Sequence, residues 1–260
     1  MNDRKKLQNH IRQTTGEALR IVWEAESRGV ILRLVGGHGI HVHCEEHQFC
    51  DRSHGDLDLV GLSGQYTGIV QLMEKLGYVE NKTMTFNTAG SRLLFERPDS
   101  EEHIDVFLDQ MNIEHNIDLR NRLQIEKLTL SVSDLLLAKL TISKLNEKDF
   151  RDIVTMIKDL DLGNMDSPAT VNQSYIASLC AKEWGLYKDV LTSVDRTLAF
   201  LPHYSLPEDD DVSVRKKLET LRTAIFEAPK SGRWKLRALL GERIPWRREV
   251  ESEDIKQANI

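Results

Sequence analysis

The chain has 260 residues, 40% hydrophobic and 29% charged, with a net charge of -6 at neutral pH. That composition suits an ordinary folded protein and excludes a disordered one. The acidic balance argues against nonspecific nucleic-acid binding by the whole surface. No apolar run approaches the ~20 residues of a membrane-spanning helix, so no membrane association is expected. The charged start MNDRKKLQNH carries no apolar h-region, so no secretory signal is expected. Three cysteines, Cys44, Cys50 and Cys180, point to a reducing cytoplasm and no disulfide framework.

The predicted elements run as follows. Residues 3–27 have helical spacing of Leu7, Ile11, Leu19, Val22 and Ala25, stopped by Gly29. Val30 to Val35 form a β-rich run interrupted by Arg33 and ended by Gly36-Gly37. A polar spacer leads to the strand DLDLV at 56–60. A helix is expected over Gln65 to Leu76, with Gly77 as its stop. Tyr78 to Phe86, Ser91 to Glu96 and His103 to Leu108 read as strands.

After Leu128 the pattern turns helical. LTLSVS is short and extended, and Ser133 is the expected N-cap of DLLLAKLTISKL. Three long helical stretches follow, with PEDDD (207–211) between the last two as a linker or a first-turn acidic cluster. The expected class is α+β: a small mixed sheet flanked by helices over 1–128, and a C-terminal helical domain over 129–260.

Chemistry concentrates in the first half. Asp56 and Asp58 are alternate residues of a strand and share a face, while Leu57 and Leu59 point into the core. Aspartate is depleted in strands, so the pair needs a reason. A hard divalent cation gives one, because Mg2+ is held by one or two carboxylates together with substrate phosphates. Asp105, flanked by apolar residues in HIDVFL, offers a third carboxylate, as metal ligand or as general base. Gly36 and Gly37 let the backbone approach phosphates, and a helix starting there aims amides at an anion. The plain alternative is a turn glycine pair beside a solvated acidic strand.

LVGGHGIHVHC followed by RSHGDLDLV resembles the signature of the DNA polymerase β nucleotidyltransferase superfamily. The form Arg52-x-His54-x-Asp56-x-Asp58 is similar to antibiotic nucleotidyltransferases. Ala138-Lys139-Leu140 and KDFRD (148–152) resemble motifs of nucleotidyltransferase toxins from abortive-infection and toxin–antitoxin systems. The resemblance covers residues 30 to 110 and, less closely, 130 to 158. It implies that Asp56, Asp58 and Asp105 hold two Mg2+ or Mn2+ ions, and that Asp105 helps activate an acceptor hydroxyl. It implies a nucleotide site built from Gly36, Gly37, Arg52, Ser53, His54, Lys139, Lys148 and Asp149. The partners implied are a nucleoside triphosphate such as ATP, an acceptor (small molecule, tRNA or protein), and for a toxin a cognate antitoxin. Lys144 stands where the toxins carry an arginine. The alternative is a noncatalytic nucleotide- or RNA-binding module on the same fold.

Other signals have two readings each. His43 and His47 stand at i and i+4, the spacing of two metal ligands on a helix; the pattern is no recognised zinc spacing, and a solvent-facing, His-rich helix and loop is the simpler reading. Lys139 and Lys148 are exposed helix residues or site members, and Asp149 is a first-turn charge or a site member. Lys230 to Arg248 holds seven Lys/Arg against one Glu, with Trp234 and Trp246 among them. That suits RNA, or else a terminal amphipathic helix packing Trp234, Leu236, Leu239 and Leu240 on the domain. Trp184 is expected to be a core or interdomain anchor.

Overall fold

The structure is a computed structural model and describes residues 2–44, 47–50, 57–98 and 103–248. Nine strands and eleven α-helices lie among the described residues. In the first half, α1 (Asn2–Glu26) leads into β1 (Leu32–Leu34), α2 (Gly36–Val42), α3 (His47–Cys50) and β2 (Leu57–Gly61). Then come α4 (Tyr66–Lys75), β3 (Val79–Glu80), α5 (Lys82–Asn87), β4 (Arg92–Glu96) and β5 (His103–Leu108). A hairpin, β6 (Gln110–Asn112) with β7 (Asn116–Asp118), closes this half.

Five strands form one mixed sheet in the order β1-β2-β5-β4-β3. Only β2 and β5 run parallel; the other neighbours are antiparallel. Strand alternation divides the apolar residues between two layers. Leu32, Leu34, Leu57, Leu59, Leu93, Phe95, Ile104 and Val106 face α1 and α4, where they meet Ala18, Ile21, Val22, Ile69, Leu72 and Met73. Val60 and Phe107 face the other way, into the cluster that also contains the C-terminal helices. Arg33, on that second face, is buried; its Nε donates to the carbonyl of Leu123 at 2.8 Å and its Nη1 pairs with Glu26.

The second half comprises α6 (Val132–Leu140), α7 (Glu147–Asp159), β8 (Asp161–Gly163), β9 (Thr170–Asn172), α8 (Gln173–Lys182), α9 (Trp184–Phe200), α10 (Glu208–Glu227) and α11 (Gly232–Leu240). Their starts are capped. The Ser131 hydroxyl accepts from Asp134 N, Asn146 forms a capping box with Asp149, and the Asn172 side chain accepts from Tyr175 N. One partly buried guanidinium, Arg122, ties the two halves together. It pairs with Asp134 and Asp166, donates to Ser131 Oγ, and lies 3.8 Å from the centroid of the Tyr175 ring.

Several expectations are corrected. The strand expected over Tyr78 to Phe86 stops at Glu80, because the Asn81 side chain caps a helix by accepting from Met84 N. The cap of α6 is Ser131, not Ser133; the Ser133 hydroxyl instead donates to Asp166. LTLSVS lies beside β1 through a single parallel bridge, Leu34 to Thr129. The long helical stretch from Asn172 divides at Glu183 into α8 and α9, and the acidic cluster is the first turn of α10, not a linker. Cys44 and Cys50 form a disulfide, against the expectation of none: α2 and α3 bring their Cα atoms to 6.6 Å. His43 caps the end of α2 and His47 opens α3, so they do not share a helical face.

The basic C-terminal stretch packs differently from expectation. Trp234 meets Tyr187 edge to face, Trp246 meets Trp184, and Trp246 Nε1 donates to buried Asp189 at 3.0 Å. Trp184 thus serves as an anchor. Leu236, Leu239 and Leu240 stay exposed, because Trp234, Arg237 and Ala238 take the inward face of α11. No helix among the described residues is long and apolar enough to cross a membrane.

Candidate active site

The site begins at the β1–α2 turn. Gly36 has φ +67, a left-handed conformation that glycine adopts without steric cost. It packs directly on the Asp58 carboxylate: a Cβ at position 36 would stand 2.7 Å from Asp58 Oδ2. The neighbouring Val35 N–H donates to the Asp58 carbonyl at 3.1 Å. The diglycine and the second aspartate of DLDLV therefore meet at van der Waals contact.

The parallel register of β2 and β5 sets the next pair. Asp58 lies opposite Asp105, and Leu59 opposite Val106. Residues in register on neighbouring strands point to the same side, with backbones about 4.8 Å apart. Asp58 and Asp105 therefore share the face that also carries Val60 and Phe107. Asp58 is partly exposed, whereas Asp105 is 3% exposed.

Asp105 has a strong partner that the sequence does not announce. Arg92 of β4 reaches it with Nε to Oδ1 and Nη2 to Oδ2, both at 2.7 Å. Arg92 lies two residues before Leu94, the β4 residue paired with Asp105, so alternation puts it on the same face. The only hint in the sequence is a basic residue opening an otherwise apolar strand; the β4–β5 register is needed to interpret it.

A second group stands on the helical half. Lys139 Nζ sits 2.9 Å from Asp149 Oδ1 and 2.9 Å from Asp152 Oδ2, and all three side chains are largely buried. Asp149 is a first-turn acid of α7, and its Oδ2 also accepts from Asn146 N in the capping box. Asp152, also in the KDFRD segment, is a partner of Lys139 that the sequence pattern does not announce. Lys148 is exposed and belongs to neither group. Gly39 of α2 packs on Leu135 of α6, and Lys139 follows one turn after Leu135. The two groups thus flank α2.

Around the disulfide, α3 docks on α7. The Phe49 carbonyl accepts from Arg151, and its ring meets Tyr204 edge to face at 5.3 Å. The His41 ring lies 3.7 Å from Cys50 Sγ. Burial holds the His43 imidazole below its usual pKa; its Nε2 is 2.8 Å from Thr129 Oγ1. Arg52, Ser53, His54 and Asp56 lie outside the described residues. Among the described residues no group of three or more His, Cys, Asp or Glu side chains is placed to hold a metal ion.

No family model matches the chain, and no curated protein matches its sequence. Among solved structures, it is similar to the solution structure of the antibiotic-resistance factor ANT(2'')-Ia, at 15% identity over 91% of this chain and 97% of that one. The TM-score is 0.33, a likeness too slight to carry an argument about this chain.

Proposed function

We propose that this protein is a metal-dependent nucleotidyltransferase, which moves a nucleoside monophosphate from a nucleoside triphosphate to an acceptor hydroxyl and releases pyrophosphate. The observation that carries the reading is the register of Asp58 with Asp105 on one sheet face, with the Gly36 backbone against the Asp58 carboxylate. Two hard oxygen donors on adjacent strands fit a divalent cation, and the lack of a Cβ at position 36 keeps one side of Asp58 clear of side chains.

When bound, Mg2+ or Mn2+ would neutralise triphosphate charge and favour departure of pyrophosphate. Asp58, with Asp56 from the same strand pattern, would hold that ion. Asp105, aimed by Arg92, would accept the proton of the acceptor hydroxyl as its oxygen attacks the α-phosphorus in line. Gly36, Gly37, Arg52, Ser53 and His54 would receive the triphosphate. Lys139, held between Asp149 and Asp152, would line the pocket from the helical half. Most of the acceleration would come from positioning and fixed charge. The acceptor is either a small antibiotic-like molecule or a tRNA end or protein side chain.

The test is incubation with α-labelled nucleoside triphosphates, Mg2+ and cell extract. Wild type should label an acceptor and Asp58→Asn should not; equal labelling by both refutes the reading. Induced expression then separates the acceptors. Growth arrest that needs Asp58 indicates a toxin, and raised antibiotic tolerance that needs Asp58 a resistance enzyme. One observation favours a second reading, a noncatalytic nucleotide-binding module: Arg92 engages both oxygens of Asp105. Nucleotide binding that is equally tight with and without Mg2+ would select that reading.

A further inference from the structure

We propose that a cleft at the β3 edge of the sheet binds an organic ammonium ion, with Glu80 as the acid that receives the head group and Phe86 and Tyr66 as aromatic walls. The inference does not depend on the nucleotidyltransferase reading. β3 is an edge strand, two places from β5 in the sheet. Glu80 is in register with Phe95, which packs toward α1 and α4, whereas Asp105 is in register with Leu94. Alternation therefore puts Glu80 and Asp105 on opposite faces, and the cleft is separate from the candidate active site.

Glu80 has hydrogen bonds but no positive partner. Thr85 Oγ1 donates to its Oε1 at 2.7 Å, and the Tyr66 hydroxyl stands 3.1 Å from each oxygen. Both donors are neutral, and no cationic side chain pairs with Glu80 among the described residues. A carboxylate offers about four lone-pair sites. Oε1 takes two contacts and Oε2 only one, so Oε2 keeps room for a donor arriving from the cleft.

The cleft has a volume of about 590 Å³, and Tyr66, Phe86, Ala89 and Gly90 line it around Glu80. Phe86 is 85% exposed, a large aromatic ring left facing water. The faces of such rings attract cations. An anion would be repelled by Glu80. A small inorganic cation would find one acid where it needs several oxygen ligands. A molecule with an ammonium head and an apolar arm uses both features at once: the head donates to Glu80, and the arm covers Phe86. Lys82 also lines the cleft, but it is exposed, so its stem can add to the wall while its own head stays in water.

The floor of the cleft is a held turn. Ala89 has φ +50, in the left-handed region that a residue with a Cβ disfavours. Its N–H donates to the Phe86 carbonyl at 3.0 Å, and the Gly90 N–H donates to the Thr85 carbonyl at 2.8 Å. Backbone strain of this kind persists where surrounding contacts enforce it, and ligand clamps are such places. Ala89 and Gly90 also line a second hollow of about 300 Å³ beside Gln110, which gives room for the far end of a longer molecule.

The test is a titration of the isotope-labelled full chain with phenethylammonium chloride, followed by amide chemical shifts, beside 2-phenylethanol as the uncharged analogue. The ammonium should bind saturably, with shifts centred on residues 80–90, and the alcohol about tenfold more weakly or less, as expected for loss of one charge-assisted hydrogen bond. Glu80→Gln, which still accepts from Tyr66 and Thr85, should weaken the ammonium to the level of the alcohol and leave the alcohol unchanged. Phe86→Ala, at an exposed position, should weaken both. Lys82→Gln should leave ammonium binding unchanged or tighten it. Circular dichroism establishes that each variant is folded. Equal binding of ammonium and alcohol, indifference of the ammonium to Glu80→Gln or to Phe86→Ala, a loss in Lys82→Gln, or no saturable shifts near the cleft would each overturn the proposal.

Discussion

Gly36→Ala is the substitution that most directly probes the contact on which the site depends. Two costs are expected. An alanine at φ +67 is in the left-handed region, which costs about 1–2 kcal/mol. Its Cβ would also stand 2.7 Å from Asp58 Oδ2, so the carboxylate must turn off its rotamer, at about 1 kcal/mol. The sum is about 2–3 kcal/mol, or a fall in Tm of roughly 4–12 °C for a chain of this size. Gly29→Ala supplies the control. Its φ is +71 and nothing lies within 4 Å of the added Cβ, so only the backbone cost applies. Urea unfolding followed by circular dichroism measures both substitutions, in wild type and in an Asp58→Ala background. The excess cost of Gly36→Ala over Gly29→Ala should vanish once Asp58 is removed. If the excess persists without Asp58, or never exists, Gly36 does not abut the carboxylate and the account of the site is wrong.

Four further outcomes are expected. Denaturing alkylation should modify only Cys180 before reduction and all three cysteines after it, and Cys44→Ser with Cys50→Ser should cost about 2 kcal/mol from the short loop left open. Native Cys180 should react slowly with thiol reagents, since burial pushes its thiol up to about 12; rapid modification would contradict its placement. Lys139→Met should destabilise by about 3–5 kcal/mol in chemical denaturation, because it leaves Asp149 and Asp152 buried without their shared cation. Asp189→Asn should hasten proteolysis within 230–248, because Asp189 holds His115, Trp246 and Arg247 together; an unchanged digestion pattern would refute that anchoring role.

Local signals made several elements legible. DLDLV and HIDVF alternate with period two, and that alternation identified Leu57 and Leu59 as core residues and Asp58 as a residue of the opposite face. KDFRD declared its helix through an asparagine cap and first-turn acids. Where a short polar side chain captured a backbone N–H, the sequence pattern was less decisive. Asn81 converts a β-rich run into α5, and Ser131 outcompetes Ser133 as the cap of α6. The basic tail had two readings because its composition is the same in both; contacts with Tyr187, Trp184 and Asp189 engage its aromatics in packing.

By itself the sequence determined the sheet-plus-helices class, the diglycine turn and the two acidic strands, since each depends on residues close together in the chain. The partners of those acids are different. Arg92 meets Asp105 only because β4 and β5 pair in one register, and a shift of one residue would turn the arginine to the other face. Cys44 meets Cys50 because two short helices fold toward each other, and Lys139 meets Asp149 and Asp152 because α6 packs on α7. A charge on a strand can be read from the pattern around it. Which opposite charge meets it is decided by strand register and helix packing, and these are properties of the assembled chain.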